Sequence, residues 1–205
     1  MGVAMGGELR SVPVYGSSGF RVGQDPEEAV EHASSYVARG ALAVKLRVGG
    51  VPADVPLVEA VQAKVSRRAF VAIDANEKCS VSSASWLMQI AESHRLLFVE
   101  VPLPARNLSG YATLTRMGTV AVATCEHLQG LDEAAPFLTK GLCQIIQPDL
   151  ALMGGLTECL RVARTAEGVG IEVAPHFLPN LFVHLAAGFT KRYVARGFRP
   201  SRAIV

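Results

Sequence analysis

Acidic residues end three apolar, strand-like runs at equal intervals. Asp74 ends VAID, Glu100 ends LFVE and Glu126 ends VATCE, each 26 residues after the one before. A strand, a helix and two loops take up about this much chain, so we expect the three carboxylates at the same end of successive strands. Converging carboxylates stay ionised in a partly dry site only when a cation neutralises them. Any one of them alone is an ordinary strand-capping residue, but together they predict a site for a hard divalent ion, most simply Mg²⁺.

A carboxylate and an imidazole end the next two runs. Asp149 ends LCQIIQPD and His176 ends GIEVAPH, 23 and 27 residues further along the chain in turn. On neighbouring strands the carboxylate accepts a hydrogen bond from one ring nitrogen, which raises the basicity of the other nitrogen. We therefore expect His176 to be a general base oriented by Asp149. Taken alone, a loop histidine is more often structural, and the pair gains its significance by completing the series.

Two cations lie two residues apart on another apolar run. Lys45 and Arg47 in AVKLRV share one side of the strand, because side chains alternate along it. If that side faces the interior, both are catalytic candidates: a buried cation stabilises a carboxylate, and a lysine with a lowered pKa exchanges a proton. If the side faces outward, both side chains extend to solvent. The spacing alone leaves both orientations open.

The other four histidines are expected to be surface or packing residues rather than ligands. His127 follows Glu126 directly, but we expect its ring to point away from the site. The four are His32, His94, His127 and His184.

The elements that must position these residues are seven apolar, β-branched runs separated by amphipathic segments. The runs are 12–16, 41–48, 69–74, 96–101, 119–126, 142–149 and 170–176, and the helical segments are 26–39, 56–68, 83–94, 108–117, 155–167 and 178–187. Strands that are apolar on both faces are typical of a parallel sheet covered by helices. We expect an α/β fold, a modified TIM-like (β/α)7β barrel, which is incomplete unless 192–195 forms the eighth strand. The expected domains are an N-terminal extension 1–11, the barrel domain 12–195 and a basic C-terminal tail 196–205.

Composition and charge exclude several classes of protein. Half of the 205 residues are apolar and 19% are charged, so the chain can bury a core and is not disordered. The net charge is +2, and five basic residues with no acid fall in 191–202, so the rest of the chain is acidic and nucleic acid is not an expected partner. There is no bilayer-length apolar run and no leader pattern. Four scattered cysteines without a CxxC pair are expected to be free thiols, and we expect a cytoplasmic protein without a membrane partner.

Six motifs taken in order resemble the enolase superfamily, in particular the barrel domain of its mandelate racemase subgroup. They are KLR, DAN, VEVPLP, CEH, QPDLALMGGLTE and APHFLPN, and the resemblance covers about residues 12–190. It implies that Mg²⁺ is bound by three carboxylates, Asp74, Glu100 and Glu126. It also implies that His176 and Asp149 form a His–Asp dyad, and that Lys45 faces this dyad across the substrate. It also implies that Asn76, in DAN, lies beside the metal site and contacts the substrate.

The resemblance further implies removal of the proton α to a carboxylate, with the enediolate held by Mg²⁺. Many members of the subgroup dehydrate acid sugars, so the expected function is a Mg²⁺-dependent acid-sugar dehydratase, a carbon–oxygen lyase acting on a small carboxylate. Two alternatives are a truncated, catalytically silent metal-binding barrel and a racemase or epimerase of α-substituted carboxylic acids.

Three departures from the family pattern bear on activity. Arg47 stands where a second lysine is usual, and a guanidinium is a poor base, which disfavours a two-base racemase. Ala195 stands where the family usually has a glutamate at the end of the eighth strand. The sequence begins shortly before the first run, so we expect no N-terminal α+β capping domain. An uncovered barrel mouth would be apolar, so we expect a homo-oligomer.

Overall fold

The chain alternates strands and helices in the computed structural model, which describes residues 12–118 and 120–187. It divides into two compact units. The N-terminal unit is Val14–Val122, and the C-terminal unit is Ala123–Val205 together with Met1–Pro13. Each unit is described separately below.

The N-terminal unit contains four strands that pair in chain order, all parallel. They are β1 (Tyr15–Gly16), β2 (Ala43–Arg47), β3 (Phe70–Asp74) and β4 (Phe98–Glu100). Each strand is followed by one helix, α1 (Pro26–Ala38), α2 (Val55–Val65), α3 (Val81–Ser93) and α4 (Leu108–Met117). Strand β2 is buried over its first four residues and helix α2 buries an apolar face of Leu57, Val58, Val61 and Val65, so the unit's core lies between sheet and helices.

The C-terminal unit repeats the same pattern. It contains the end of β5 (Ala121–Thr124), then β6 (Ile145–Ile146) and β7 (Glu172–Val173), which pair in chain order and in parallel. The helices are α5 (Leu131–Thr139), α6 (Leu156–Gly168) and α7 (Pro179–Ala187). The series of βα units confirms the expected fold class, a TIM-like α/β barrel that is incomplete over the described residues. The expected eighth strand at 192–195, the extension 1–11 and the tail 196–205 lie outside those residues.

The observed strands are shorter than the apolar runs that predict them. Val101 has a φ of +40° and Cys125 has a φ of +85°, so β4 and β5 end where the backbone leaves the extended region. At the start of β1, Pro13 has no N–H to donate to a ladder, and the strand begins only at Tyr15.

Helix α5 is absent from the sequence-based expectation. It is nine residues long with Pro136 inside it, and a proline in an apolar segment ordinarily indicates a helix end. Two acidic residues in its first turn, Asp132 and Glu133, suit the positive end of the helix dipole. Its inner face buries Ala134, Phe137 and Leu138, so packing outweighs the cost of the proline.

Strand β1 and helix α1 approach each other unusually closely at Gly16. A Cβ at this position would lie 2.1 Å from the ring of Tyr36 on α1, so only glycine fits. The Tyr36 hydroxyl donates a hydrogen bond to the carbonyl of Ser18, 3.1 Å away. This contact fixes the turn that follows β1.

Two further expectations concern membranes and thiols. No helix in residues 12–118 and 120–187 combines the length and the apolar character needed to cross a bilayer. The four cysteines, Cys79, Cys125, Cys143 and Cys159, are free and buried, as the sequence predicts.

The N-cap of α1 gives a first test of the fold. The Asp25 carboxylate accepts hydrogen bonds from the N–H groups of Glu27 and Glu28, at 2.9 and 3.2 Å. We expect Asp25→Ala to lower the free energy of unfolding by about 1 kcal/mol, because two N–H groups lose their acceptor. Asp25→Asn keeps a capping oxygen and serves as the control in urea denaturation. Equal stability of Asp25→Ala and the wild type would contradict this role.

Candidate active site

In the N-terminal unit, the carboxyl ends of β2, β3 and β4 bring charged side chains together. Asp74 is paired in register with Arg47 on one side and with Glu100 on the other. Both carboxylates are almost fully buried. Two carboxylates that are buried side by side, away from water, need a cation nearby to compensate their charge.

Lys45 supplies most of that compensation. Its ammonium forms an ion pair with Glu100, lies 3.4 Å from Asp74 Oδ2, and is only 6% exposed. It also lies 5.4 Å from the centroid of the Tyr15 ring, within reach of a cation–π interaction. The strand side that carries Lys45 therefore faces the interior, which settles the orientation that the sequence left open.

Arg47 completes the pairing from a more open position. Its Nη1 lies 3.1 Å from Asp74 Oδ2, and the side chain is 35% exposed. Nη1 is buried and forms no hydrogen bond, so its contact with Asp74 is an ion pair without a hydrogen bond.

Burial and neighbouring charges shift the pKa values of Lys45 and Asp74. Burial lowers the pKa of Lys45, but the negative charge of Glu100 and Asp74 outweighs burial, so the pKa lies well above its usual value. Burial, and next the charge of Glu100, raise the pKa of Asp74, while Lys45 and Arg47 oppose that rise. In this arrangement the two carboxylates favour the protonated form of Lys45.

Asn76 lies in the turn that follows β3. Its N–H donates to Asp74 Oδ1 at 2.9 Å, and its side chain is half-buried. The backbone of Asn76 therefore helps to orient the carboxylate of Asp74.

In the C-terminal unit, Asp149 and His176 are in direct contact. The two residues form a parallel bridge, and His176 Nδ1 lies 2.8 Å from Asp149 Oδ2. The other oxygen of Asp149 accepts from the N–H groups of Ala151 and Leu152, at 2.7 and 3.1 Å. An ionised carboxylate only accepts, so Nδ1 donates to Asp149, and Nε2 is the nitrogen left to exchange a proton.

Glu126 lies on the other side of the same imidazole. Its Oε2 is 3.4 Å from His176 Nε2, and this oxygen is buried without a hydrogen-bond partner. His176 is 30% exposed. The ring therefore contacts Asp149 and Glu126 and is partly accessible to solvent.

The expectation for His127 is wrong. Its Nε2 lies 3.5 Å from Glu126 Oε1, so its ring turns toward the carboxylate rather than away from it. The side chain is 42% exposed. Glu126 and His127 lie beyond Thr124, where β5 has ended, so the alternation of a strand does not direct their side chains to opposite sides.

Strained backbone surrounds the predicted site residues. Seven non-glycine residues in the described part of the chain have a positive φ, and six of them lie within three residues of a predicted site residue. These six are Asn76, Glu77, Val101, Cys125, Phe177 and Leu178. Such conformations cost about 1–3 kcal/mol each and persist where the surrounding structure over-determines them, typically at functional sites.

The donor atoms suit a hard divalent cation, although they do not form a closed metal site. Asp74 and Glu100 present buried carboxylate oxygens in the N-terminal unit, and Glu126 has an unpartnered buried oxygen in the C-terminal unit. Oxygen ligands of this type are those that Mg²⁺ prefers. Over residues 12–118 and 120–187, no three His, Cys, Asp or Glu side chains are arranged to hold a metal ion.

Relatives with known activities match most of this chain. A D-gluconate dehydratase from Thermoproteus tenax is 30% identical over 188 residues, which cover 84% of this chain and 37% of the relative. An L-talarate/galactarate dehydratase from Salmonella typhimurium is 25% identical over 187 residues, which cover 90% of this chain and 47% of the relative. The chain thus spans less than half the length of these two relatives.

Solved structures resemble the chain over nearly its whole length. An L-talarate dehydratase from Polaromonas, crystallised with Mg and L-glucarate, superposes with a TM-score of 0.87 at 30% identity. The match covers 93% of this chain and 54% of the Polaromonas chain. A racemase from Streptomyces coelicolor with bound magnesium superposes with a TM-score of 0.88 at 26% identity, over 94% of this chain and 58% of that one.

The model of the family described as enolase C-terminal domain-like matches residues 28–202. The match covers most of the chain and includes every candidate residue considered above. Together with the structural neighbours, it confirms the resemblance drawn from the six motifs. The chain therefore belongs to the enolase C-terminal domain-like family, within the enolase superfamily and of the mandelate racemase type.

Proposed function

We propose that this chain provides the barrel part of an acid-sugar dehydratase that removes the proton α to a carboxylate and then eliminates the β-hydroxyl. Relatives named as dehydratases of D-gluconate, L-talarate/galactarate and D-galactonate support the substrate class. The observation that carries the proposal is the 2.8 Å contact between His176 Nδ1 and Asp149 Oδ2. It is the arrangement that prepares an imidazole to accept a proton.

His176 is the proposed base, and it acts through Nε2. Asp149 accepts the proton of Nδ1 and is itself fixed by two backbone N–H groups, so the ring cannot turn its protonated nitrogen toward the substrate. When the α C–H bond breaks, the proton passes to Nε2 and Asp149 stabilises the resulting imidazolium. The β C–O bond then breaks, and the hydroxyl takes the proton from the imidazolium and leaves as water.

Lys45 is the proposed contact for the substrate carboxylate. Its buried ammonium pairs with Glu100 and lies near Asp74, and a cation in this position stabilises an anion. Arg47 is always charged and is kept as a candidate contact for an anionic or hydroxyl group of the substrate. Asn76, beside Asp74, is also a proposed substrate contact. With one base instead of two, racemisation is the weaker alternative.

The proposed metal ligands are Asp74 and Glu100 in the N-terminal unit and Glu126 in the C-terminal unit. When bound, Mg²⁺ neutralises the negative charge that develops on the substrate carboxylate as the α-proton leaves. The charge of these carboxylates and the hard character of their oxygens support the assignment. Magnesium in the two crystallised structural neighbours supports it further.

A silent metal-binding barrel is the second candidate function. The ion pair of Lys45 with Glu100, and its approach to Asp74, favour it, because the same oxygens are proposed to bind the metal. Metal binding without proton exchange would distinguish this candidate from the dehydratase.

The buried cation can be tested through stability. We expect Lys45→Met to lower the free energy of unfolding of the metal-free protein by about 3–5 kcal/mol, because it leaves two buried carboxylates without their main partner. Adding Glu100→Gln to Lys45→Met should recover part of the loss. The matched control is Lys64→Met on the exposed side of α2, which urea denaturation should show to be nearly neutral. Equal losses from the two single variants would argue against the buried pair.

Magnesium should stabilise the folded chain. Ligand that binds only the folded state adds about 2.7 kcal/mol at 100 times its Kd, so millimolar Mg²⁺ should raise the Tm in a thermal melt. Asp74→Asn and Glu100→Gln should each abolish the shift, because each removes a charged ligand. The control is Glu59→Gln, an exposed carboxylate on α2, which should keep the shift. A wild-type Tm that is insensitive to Mg²⁺ would reject the metal assignment.

Proton abstraction should be visible as deuterium incorporation. In D2O with Mg²⁺, the α-position of D-gluconate, D-galactonate or galactarate should acquire deuterium, followed by NMR, even when elimination is slow. His176→Asn should abolish the exchange and keep the Mg²⁺-dependent Tm shift, while Asp149→Asn should reduce the exchange. Metal binding without exchange on any of the three acids would favour the silent barrel.

A further inference from the structure

The turn that follows β3 is fastened to the segment that follows β4. Beyond the paired strands, the N–H of Ala75 donates to the carbonyl of Glu100 at 3.1 Å, and the N–H of Glu77 donates to the carbonyl of Val101 at 2.7 Å. The N–H of Cys79 donates to the carbonyl of Pro102 at 3.1 Å. These three bonds extend the contact between the two segments past the ends of β3 and β4.

The side chain of Glu77 adds a contact that is remote in sequence. Its Oε1 accepts a hydrogen bond from the N–H of Ala105 at 3.1 Å, in a partly buried setting. Glu77 is thus tied to the segment after β4 twice, by its own N–H and by its carboxylate. A glutamate that joins two loops in this way restricts the conformation of both.

Both loops are strained where they are joined. Glu77 and Asn76 have φ values of +63° and +46°, and Val101 has a φ of +40°. A left-handed conformation is rare for a β-branched residue such as valine, and it costs about 1–2 kcal/mol per residue for L-amino acids in general. Some interaction must therefore hold these residues in place. The two hydrogen bonds of Glu77, to the Val101 carbonyl and from the Ala105 N–H, join the turn after β3 to the segment after β4.

Two of the strained residues, Asn76 and Val101, adjoin the carboxylates of Asp74 and Glu100. Asn76 donates its N–H to Asp74 Oδ1, and Val101 directly follows Glu100 in the chain. A change in the backbone at Asn76 or Val101 would therefore change the orientation of Asp74 or Glu100. Partners of this type, which orient the ligands rather than contact the metal, commonly change metal affinity by about 10–100-fold when they are removed.

We propose that Glu77 is a positioning residue whose hydrogen bond to the Ala105 N–H fixes the two turns that orient the carboxylates of Asp74 and Glu100 for a divalent cation. The inference rests on the proposed function, since it takes Asp74 and Glu100 as metal ligands. Glu77 itself does not bind the metal. Its effect appears as metal affinity and not only as stability.

The experiment measures Mn²⁺ binding by the whole chain, with free Mn²⁺ followed by electron paramagnetic resonance. Glu77→Ala should bind Mn²⁺ about 10–100-fold more weakly than the wild type. Glu77→Gln keeps a side-chain oxygen that can accept from the Ala105 N–H, so it should restore affinity close to that of the wild type. This rescue separates the hydrogen bond from the charge of Glu77.

A glycine variant separates the hydrogen bond from the strain. Glycine adopts a positive φ without penalty, so Glu77→Gly should melt at a higher temperature than Glu77→Ala and yet bind Mn²⁺ as weakly. The matched control is Asp25→Ala, which also removes a carboxylate that accepts backbone N–H groups in the same unit. It should lower the Tm and leave Mn²⁺ affinity unchanged.

Each outcome decides between the two proposals. Wild-type affinity in folded Glu77→Ala or Glu77→Gly overturns the role of Glu77 and leaves the metal site intact. Absence of Mn²⁺ binding by the wild type rejects the metal site, and the role of Glu77 with it. If circular dichroism shows that Glu77→Ala does not fold, the glutamine and glycine variants decide: weak binding by glycine with rescue by glutamine supports the proposal, and equal binding overturns it.

Discussion

The burial of two carboxylates beside one ammonium is the interaction on which the N-terminal unit depends. Asp74 and Glu100 are nearly inaccessible to water, and Lys45 places a positive charge beside both. This pairing of charges also depends on strand order. The three side chains converge only when β2 and β4 flank β3 in the observed register.

The C-terminal unit meets the same requirement with histidine instead of lysine. Asp149 is stabilised by two backbone N–H groups and by the imidazole of His176, and Glu126 lies between the rings of His176 and His127. An imidazole can give or take a proton near neutral pH. The C-terminal unit therefore holds the group proposed for proton transfer, and the N-terminal unit holds the buried ion pairs of Lys45.

The fold and the contact of Asp149 with His176 could be predicted from sequence because their signals are local. Apolar β-branched runs predict the strands, and a charged residue at the end of each run predicts a site at that end. The signals fail where the backbone is irregular. The ring of His127 lies beside Glu126 beyond the end of β5, where no strand pattern gives its direction, and Pro136 interrupts the helical pattern of α5. The contact of Glu77 with Ala105 spans 28 residues, and no local pattern encodes it.

The close approach of Gly16 to Tyr36 makes the position of Lys45 sensitive to the position of helix α1. Tyr15, the neighbour of Gly16 on β1, lies beneath the ammonium of Lys45 and makes an edge-on contact with Phe98 of β4, with ring centroids 5.9 Å apart. Because the ring of Tyr36 leaves no room at Gly16, a shift of helix α1 cannot be absorbed locally and must displace β1. A substitution on the buried face of α1 would thereby be transmitted mechanically to Lys45, although no residue of that face is among the candidate site residues.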